Sequence, residues 1–141
     1  MPAELSNHFK FQCFKKQIDL SADSIKVILM ESGFVFDKDN HATYAQVLSN
    51  ELPGGNGYLQ NNKSLSTQVV TENDTDDRAE MTCDDVSWTA SGGSIGPTPG
   101  AILYDDSSPD NTIIGYIDFG EDLTATSGNT LVIEDISIRF T

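Results

Sequence analysis

The sequence predicts a mainly β fold, an antiparallel β-sandwich or a partly closed barrel, with an N-terminal α-helix and a possible second short helix. Three observations predict it. Several short segments alternate apolar and polar residues with period two, loops rich in Gly and Pro separate them, and only the N-terminal segment sustains a helical period. At 141 residues the chain suits a single domain, 1–141, with an N-terminal helical segment over 1–20 and a β-rich body over 24–141.

Ser6 to Ile18 contains no Pro or Gly and opens on a cap residue, Ser6 or Asn7. At about 100° per residue, Phe11, Phe14 and Ile18 fall on one face, and Leu5, Phe9 and Cys13 on the opposite one. A surface helix needs one apolar stripe to pack on its own domain. The expectation is therefore that Phe11, Phe14 and Ile18 meet the protein's own sheet while Leu5 and Phe9 meet another subunit. Two other readings stay open: residues before Phe9 are extended, or the helix lies between two layers of its own domain. The second short helix would be Thr43 to Leu48, about one and a half turns.

The β body follows. Ile25, Val27 and Leu29 alternate with Lys26 and Ile28 in a β-branched run that reads as a well-buried strand. Leu65, Thr67 and Val69 give a weaker signal, and Ala79, Met81 and Cys83 alternate with Arg78, Glu80 and Thr82 as in a sheet with one wet face. Ala101 to Tyr104 and Ile113 to Phe119 are two strands joined by the turn-forming Asp105 to Asn111. Leu131 and Ile133 are at odd positions whereas Ile136, Ile138 and Phe140 are at even ones, so one register cannot bury both sets. Either a bulge near Glu134-Asp135 restores the register, or both faces are covered there. Pro53 to Gly57, Ser91 to Gly93 and Gly96 to Gly100 read as loops.

The formal charge of -14, from 8 basic and 22 acidic residues, would repel a phosphate backbone, so no nucleic-acid partner is expected. The longest apolar run, Val27 to Met30, is far short of the roughly 20 residues that span a bilayer, and no membrane partner is expected either. Charge is also unevenly placed: Lys10, Lys15 and Lys16 lie in the helical segment, while Glu72 to Asp85 holds seven acids and only Arg78. Such asymmetry can orient docking. Cys13 and Cys83, flanked by Phe14 and near Met81, read as two buried free thiols.

Motifs for chemistry are sparse, and the expectation is a protein that is not an enzyme and carries no cofactor. His8 and His41 lack zinc-binding spacing, and each reads as a lone surface histidine. No Ser stands in G-x-S-x-G, and Gly54-Gly55-Asn56-Gly57 has no Lys-Ser or Lys-Thr after it. Asp37 and Asp39 begin like an EF-hand loop that then fails at its Gly and its Glu, with Ala42 and Leu48 standing there. Loop carboxylates from separate segments could still converge on Ca²⁺.

Several stretches carry a resemblance through their order: Ile25 to Leu29, Phe36 to Asp39 with His41 and Tyr44, Asn50-Glu51 and Gly57-Tyr58. They continue as Thr75 to Ala79, Asp84 to Trp88, Ala101 to Tyr104 and Ile114 to Gly120. Across Ser24 to Gly120 the chain resembles a family of small phage and prophage virion proteins described as structural or decoration proteins. It departs at Ser94 to Gly100, where two prolines stand in a segment that relatives fill with a strand entry. The resemblance implies a β-sandwich-like component of a capsid or tail that acts through assembly, and it transfers no catalytic residue.

The leading expectation is thus a capsid decoration or cement protein on the outer surface of a virion, made in a host cytoplasm. Its partners would be copies of itself, as a trimer, and the major capsid protein, with Leu5, Phe9, Lys10, Cys13 and Lys16 at the interface. The alternatives are a tail or fibre-associated virion protein and, from another class, a carbohydrate-binding module stacking sugars on Trp88 and Tyr side chains. Trp88 itself reads more readily as core.

Overall fold

A computed structural model describes residues 1–141. Ten strands and one α-helix follow the order β1 (Glu4–Leu5), α1 (Asn7–Phe14), β2 (Ile25–Leu29), β3 (Lys63–Ser64), β4 (Val69–Asn73) and β5 (Arg78–Thr82). They continue with β6 (Val86–Thr89), β7 (Ile95–Asp105), β8 (Ile113–Ala125), β9 (Thr130–Ile133) and β10 (Ser137–Phe140). Three antiparallel sheets result, ordered β1-β8-β7-β2-β3, β10-β5-β4 and β6-β9. The fold is sandwich-like: every sheet keeps open edges, and none closes into a barrel.

Period-two alternation places the core. Val27, Leu103 and Ile117 of the large sheet share one apolar cluster with Met81 and Ile138 of the three-stranded sheet and with Trp88 and Leu131 of the two-stranded one. The large sheet is also covered on its other face, where Ile28, Met30, Ile102 and Tyr104 meet Phe36 and Val47 from the segment between β2 and β3. Coverage on both faces explains why β2 reads as a nearly continuous apolar run rather than a clean alternation.

The covering segment is held by a buried carboxylate. Glu51 accepts hydrogen bonds from the Tyr44 hydroxyl at 3.1 Å, the Tyr58 hydroxyl at 2.7 Å and the Asn61 amide at 2.8 Å. Burial, then the Glu51 carboxylate, push the Tyr44 phenol up to about 12 and raise that of Tyr58 further, so both remain donors. Tyr58 in turn accepts from the Leu29 amide at 2.9 Å, which ties the segment to β2.

Four expectations need correction here. The second short helix is instead two 3₁₀ turns, Tyr44–Gln46 and Leu48–Asn50. Gln46 folds back to accept the Ala42 and Thr43 amides at 2.7 and 2.9 Å, and Tyr44 stacks on Tyr104 at 4.5 Å, which tightens a run too short to nucleate an α-helix. Gly96 to Gly100 is not a loop but the entry of β7, and register shifts on either side of Thr98 absorb Pro97 and Pro99, which have no amide to give the ladder. Gly100 is required there, because a Cβ would lie 2.3 Å from the Ile117 carbonyl oxygen. The weak strand over Leu65 to Val69 falls instead in the gap between β3 and β4, where Thr67 stands at φ 56°, and only Val69 belongs to a strand.

The fourth correction concerns the C-terminal register. Leu131 and Ile133 belong to β9 and Ile138 to β10, in two different sheets. Asp135, at φ 52°, turns the chain between them, so a strand break rather than a bulge lets Ile133, Ile136 and Ile138 enter one core. A bulge does occur in β8. Leu103 pairs with Gly115 and Tyr104 with Ile113, which leaves Ile114 as the extra residue, and it turns into the main cluster. Trp88 is buried, 5% exposed, beside Tyr58, and belongs to the core as expected.

Candidate docking surface

The β8 bulge anchors the helix. Ser6 is fully buried: its amide donates to the Ile114 carbonyl at 2.9 Å and its hydroxyl to the Ile113 carbonyl at 2.5 Å. The same hydroxyl oxygen accepts the Phe9 amide at 3.0 Å and caps α1. His8 adds a tie from its Nε2 to Asp110 at 2.8 Å, and the Asn7 amide bonds the Lys38 carbonyl at 3.0 Å.

With its first turn fixed, the helix has no freedom to choose which stripe faces the sheets. Phe9, three residues past the cap, is driven into the main core and packs on Phe140 with ring centroids 5.6 Å apart. Cys13, one turn on, follows it and is half-buried. Phe11 and Phe14 point away and are 53% and 91% exposed. The expected orientation is therefore inverted. Phe9 is not an interface residue, and Phe11 and Phe14 do not pack on the domain's own sheet.

The helix also ends four residues before Ile18. The Gln17 amide reaches the Gln12 carbonyl at 3.0 Å and the Lys16 amide the Cys13 carbonyl at 3.1 Å, which is a Schellman stop with Lys16 at φ 59° in the place that Gly favours. Lys16→Gly is expected to raise stability by roughly 0.5 to 1 kcal/mol in urea melts, since Gly adopts this conformation without strain at some cost in unfolded-state entropy. An unchanged or lowered midpoint would show that Lys16 is not strained. Beyond the stop, Ile18 and Leu20 return to the margin of the core. Gln68 holds the turn, its Nε2 donating to the Leu20 and Asp23 carbonyls at 2.6 and 3.1 Å.

An open groove runs between this N-terminal segment and the three-stranded sheet. One end, about 500 Å³, lies among Ile18, Leu20, Val70, Ala79 and Met81. The other, about 750 Å³, lies among Leu5, Phe14, Lys38 and Arg139, and the two meet at Cys13 and Phe140. Phe14, Val70 and Phe140 stay 91%, 50% and 41% exposed at its rim. Val70 belongs to β4, an open edge strand.

Four of the five side chains expected at an interface meet in this groove: half-buried Leu5 and Cys13, and exposed Lys10 and Lys16. Phe14 stands on the stripe expected to face the protein's own sheet, and Val70, Lys38, Arg139 and Phe140 were missed. Only Phe140 carried a signal, as the last member of the even-numbered apolar set; the others are brought in by tertiary packing alone.

The remaining chemical candidates are engaged in the fold. Burial, and next the Asp105 carboxylate, push the Cys13 thiol up to about 11, and burial pushes that of Cys83 to about 11, so both are protonated at neutral pH. His41 is not a lone surface residue either: its Nδ1 accepts the Asp37 amide at 3.0 Å and its ring stacks on Phe34 at 5.5 Å. The Asp37 carboxylate accepts the Asp39 and Asn40 amides and the Asn40 side chain, which closes its own turn. Comparison with protein-family models, curated proteins and solved structures found no match.

Proposed function

We propose that the protein is a structural component of a phage virion, a decoration or cement protein of the capsid, that works through protein-protein contacts of the groove beside α1. The observation that supports this most is Phe14: a Phe side chain 91% exposed at the mouth of an apolar groove that Phe140 also lines, on a helix whose own anchoring residue is buried. Isolated exposed apolar residues are ordinary, but two exposed aromatics lining one groove mark a contact surface. The sandwich-like fold and the family resemblance over Ser24 to Gly120 fit assembly, and the acidic surface suits the outside of a shell, away from packaged nucleic acid. Repetition on a lattice would let weak contacts act together. The proposed partners are the major capsid protein and copies of this chain.

The test is retention on purified particles. Wild-type protein is expected to co-sediment with shells, and Phe14→Asp to lose retention by roughly tenfold or more while melting at the wild-type temperature, since a charge there would be desolvated on docking. Failure of wild-type protein to bind any particle component would remove the virion reading. The carbohydrate-binding alternative has less support, because the buried Trp88 offers no stacking face to solvent.

A further inference from the structure

We infer that the groove beside α1 is a two-fold contact between two copies of this chain, an inference that rests on the reading of the protein as an assembly component. Its charge sets it apart from the remaining surface. Lys10, Lys16, Lys38 and Arg139 line it together with Glu4, Asp19 and Glu80, so four basic side chains stand against three acidic ones. The rest of the chain holds only 4 basic residues and 19 acidic ones, because the totals are 8 and 22.

Two copies that approach through any strongly acidic face repel each other, whereas the near-neutral groove removes that penalty from one face. The two ends also differ in sign, with Lys10, Lys38 and Arg139 beside Glu4 at one and Asp19 and Glu80 beside Lys16 at the other, so a two-fold axis between them sets the basic end of each copy against the acidic end of its partner, which is the self-complementarity that a two-fold interface demands. An acidic partner would instead be recognised by a groove with a clear excess of positive charge, and this one has a single charge to spare. Phe14, Phe140 and Val70 supply the apolar centre that such a contact must desolvate.

The measurement is the mass of the full chain by sedimentation equilibrium and light scattering across a concentration series. A shift from one chain to two is expected, and raising salt to about 1 M, where charges are screened beyond about 3 Å, should tighten the dimer several-fold by suppressing the repulsion between the acidic bodies. Phe14→Asp is expected to leave a folded monomer, while Leu59→Asp, at an exposed position outside the groove, should dimerise as the wild type does. A monomer at all concentrations, a trimer, a dimer that survives Phe14→Asp, or a dimer that salt weakens would each overturn the inference. Particle retention separates it from the wider reading: shells bound by a strictly monomeric protein keep the virion function and remove the two-fold contact, and a dimer that ignores shells does the reverse.

Discussion

Asp105→Asn is expected to stabilise the protein by about 2 to 4 kcal/mol at pH 8 and by almost nothing at pH 4. Asp105 ends β7 and is fully buried. Its Oδ1 accepts the Ser107 and Ser108 amides at 2.8 and 3.1 Å, which closes the turn into β8, but its Oδ2 is buried with no donor. The carboxyl of Asp23 faces it, from the turn that precedes β2, and Cys13 is the other titratable group beside it. Burial, and next the shared proton and charge of Asp23, push Asp105 from the ordinary carboxyl value up to about 7.

The raised value fixes the direction of the pH dependence. A carboxyl whose folded-state pKa lies above its unfolded value binds its proton more tightly in the folded chain. Its contribution to stability is full below about pH 4, falls as pH rises towards 7, and is flat above that. Three pKa units correspond to at most about 4 kcal/mol. Asn keeps the oxygen that accepts the two serine amides and turns an NH₂ towards Asp23, so it mimics the protonated acid at every pH. Urea titrations of both proteins at pH 4, 6 and 8 measure the gap, with the exposed neighbour Asp106→Asn as the control for general relief of negative charge. A gap that does not widen with pH, or one that Asp106→Asn reproduces, would show that folding does not raise the Asp105 carboxyl above its ordinary value.

The second large effect separates two phenylalanines five residues apart. Phe9→Ala is expected to cost about 3 to 5 kcal/mol, since it empties a fully buried aromatic site against Phe140. Phe14→Ala should change stability by no more than about 0.5 kcal/mol, because its side chain is almost wholly solvated. Chemical denaturation of the two variants decides the matter, and comparable losses for both would refute the orientation of α1.

That pair also shows what the sequence could and could not reveal. Two apolar stripes on one helical segment were legible from periodicity, as were the mainly β class and the burial of Trp88. The choice of the inward stripe depends on Ser6 reaching the bulged carbonyls of β8 more than a hundred residues away, a contact that no local pattern encodes. The same holds for the helix stop, since Lys16 adopts a left-handed conformation without the Gly that would have announced it. The prolines of β7 read locally as a loop, and only pairing with β8 through shifted registers makes them a strand. Members of the groove were missed for a related reason: Lys38, Val70 and Arg139 converge from three separate segments, and their types alone predict solvated surface.

The pairing pattern has a consequence for how the chain acquires this shape. Only β4 with β5 and β7 with β8 pair across a short turn; β2 meets β3 beyond the long covering segment, and β1 finds β8, β2 finds β7, β6 finds β9 and β10 finds β5 across long intervals of chain. Local hairpins form in microseconds, whereas each distant pairing must first overcome the entropy of closing a long loop. The two hairpins are therefore the natural nuclei, and β5 keeps one edge bare until the last strand arrives. During that interval Met81 and the backbone edge of β5 face water, and Glu72, Asp74 and Asp77 of the β4–β5 ribbon, which pair with no basic side chain in the finished fold, act as gatekeepers that keep half-folded chains apart.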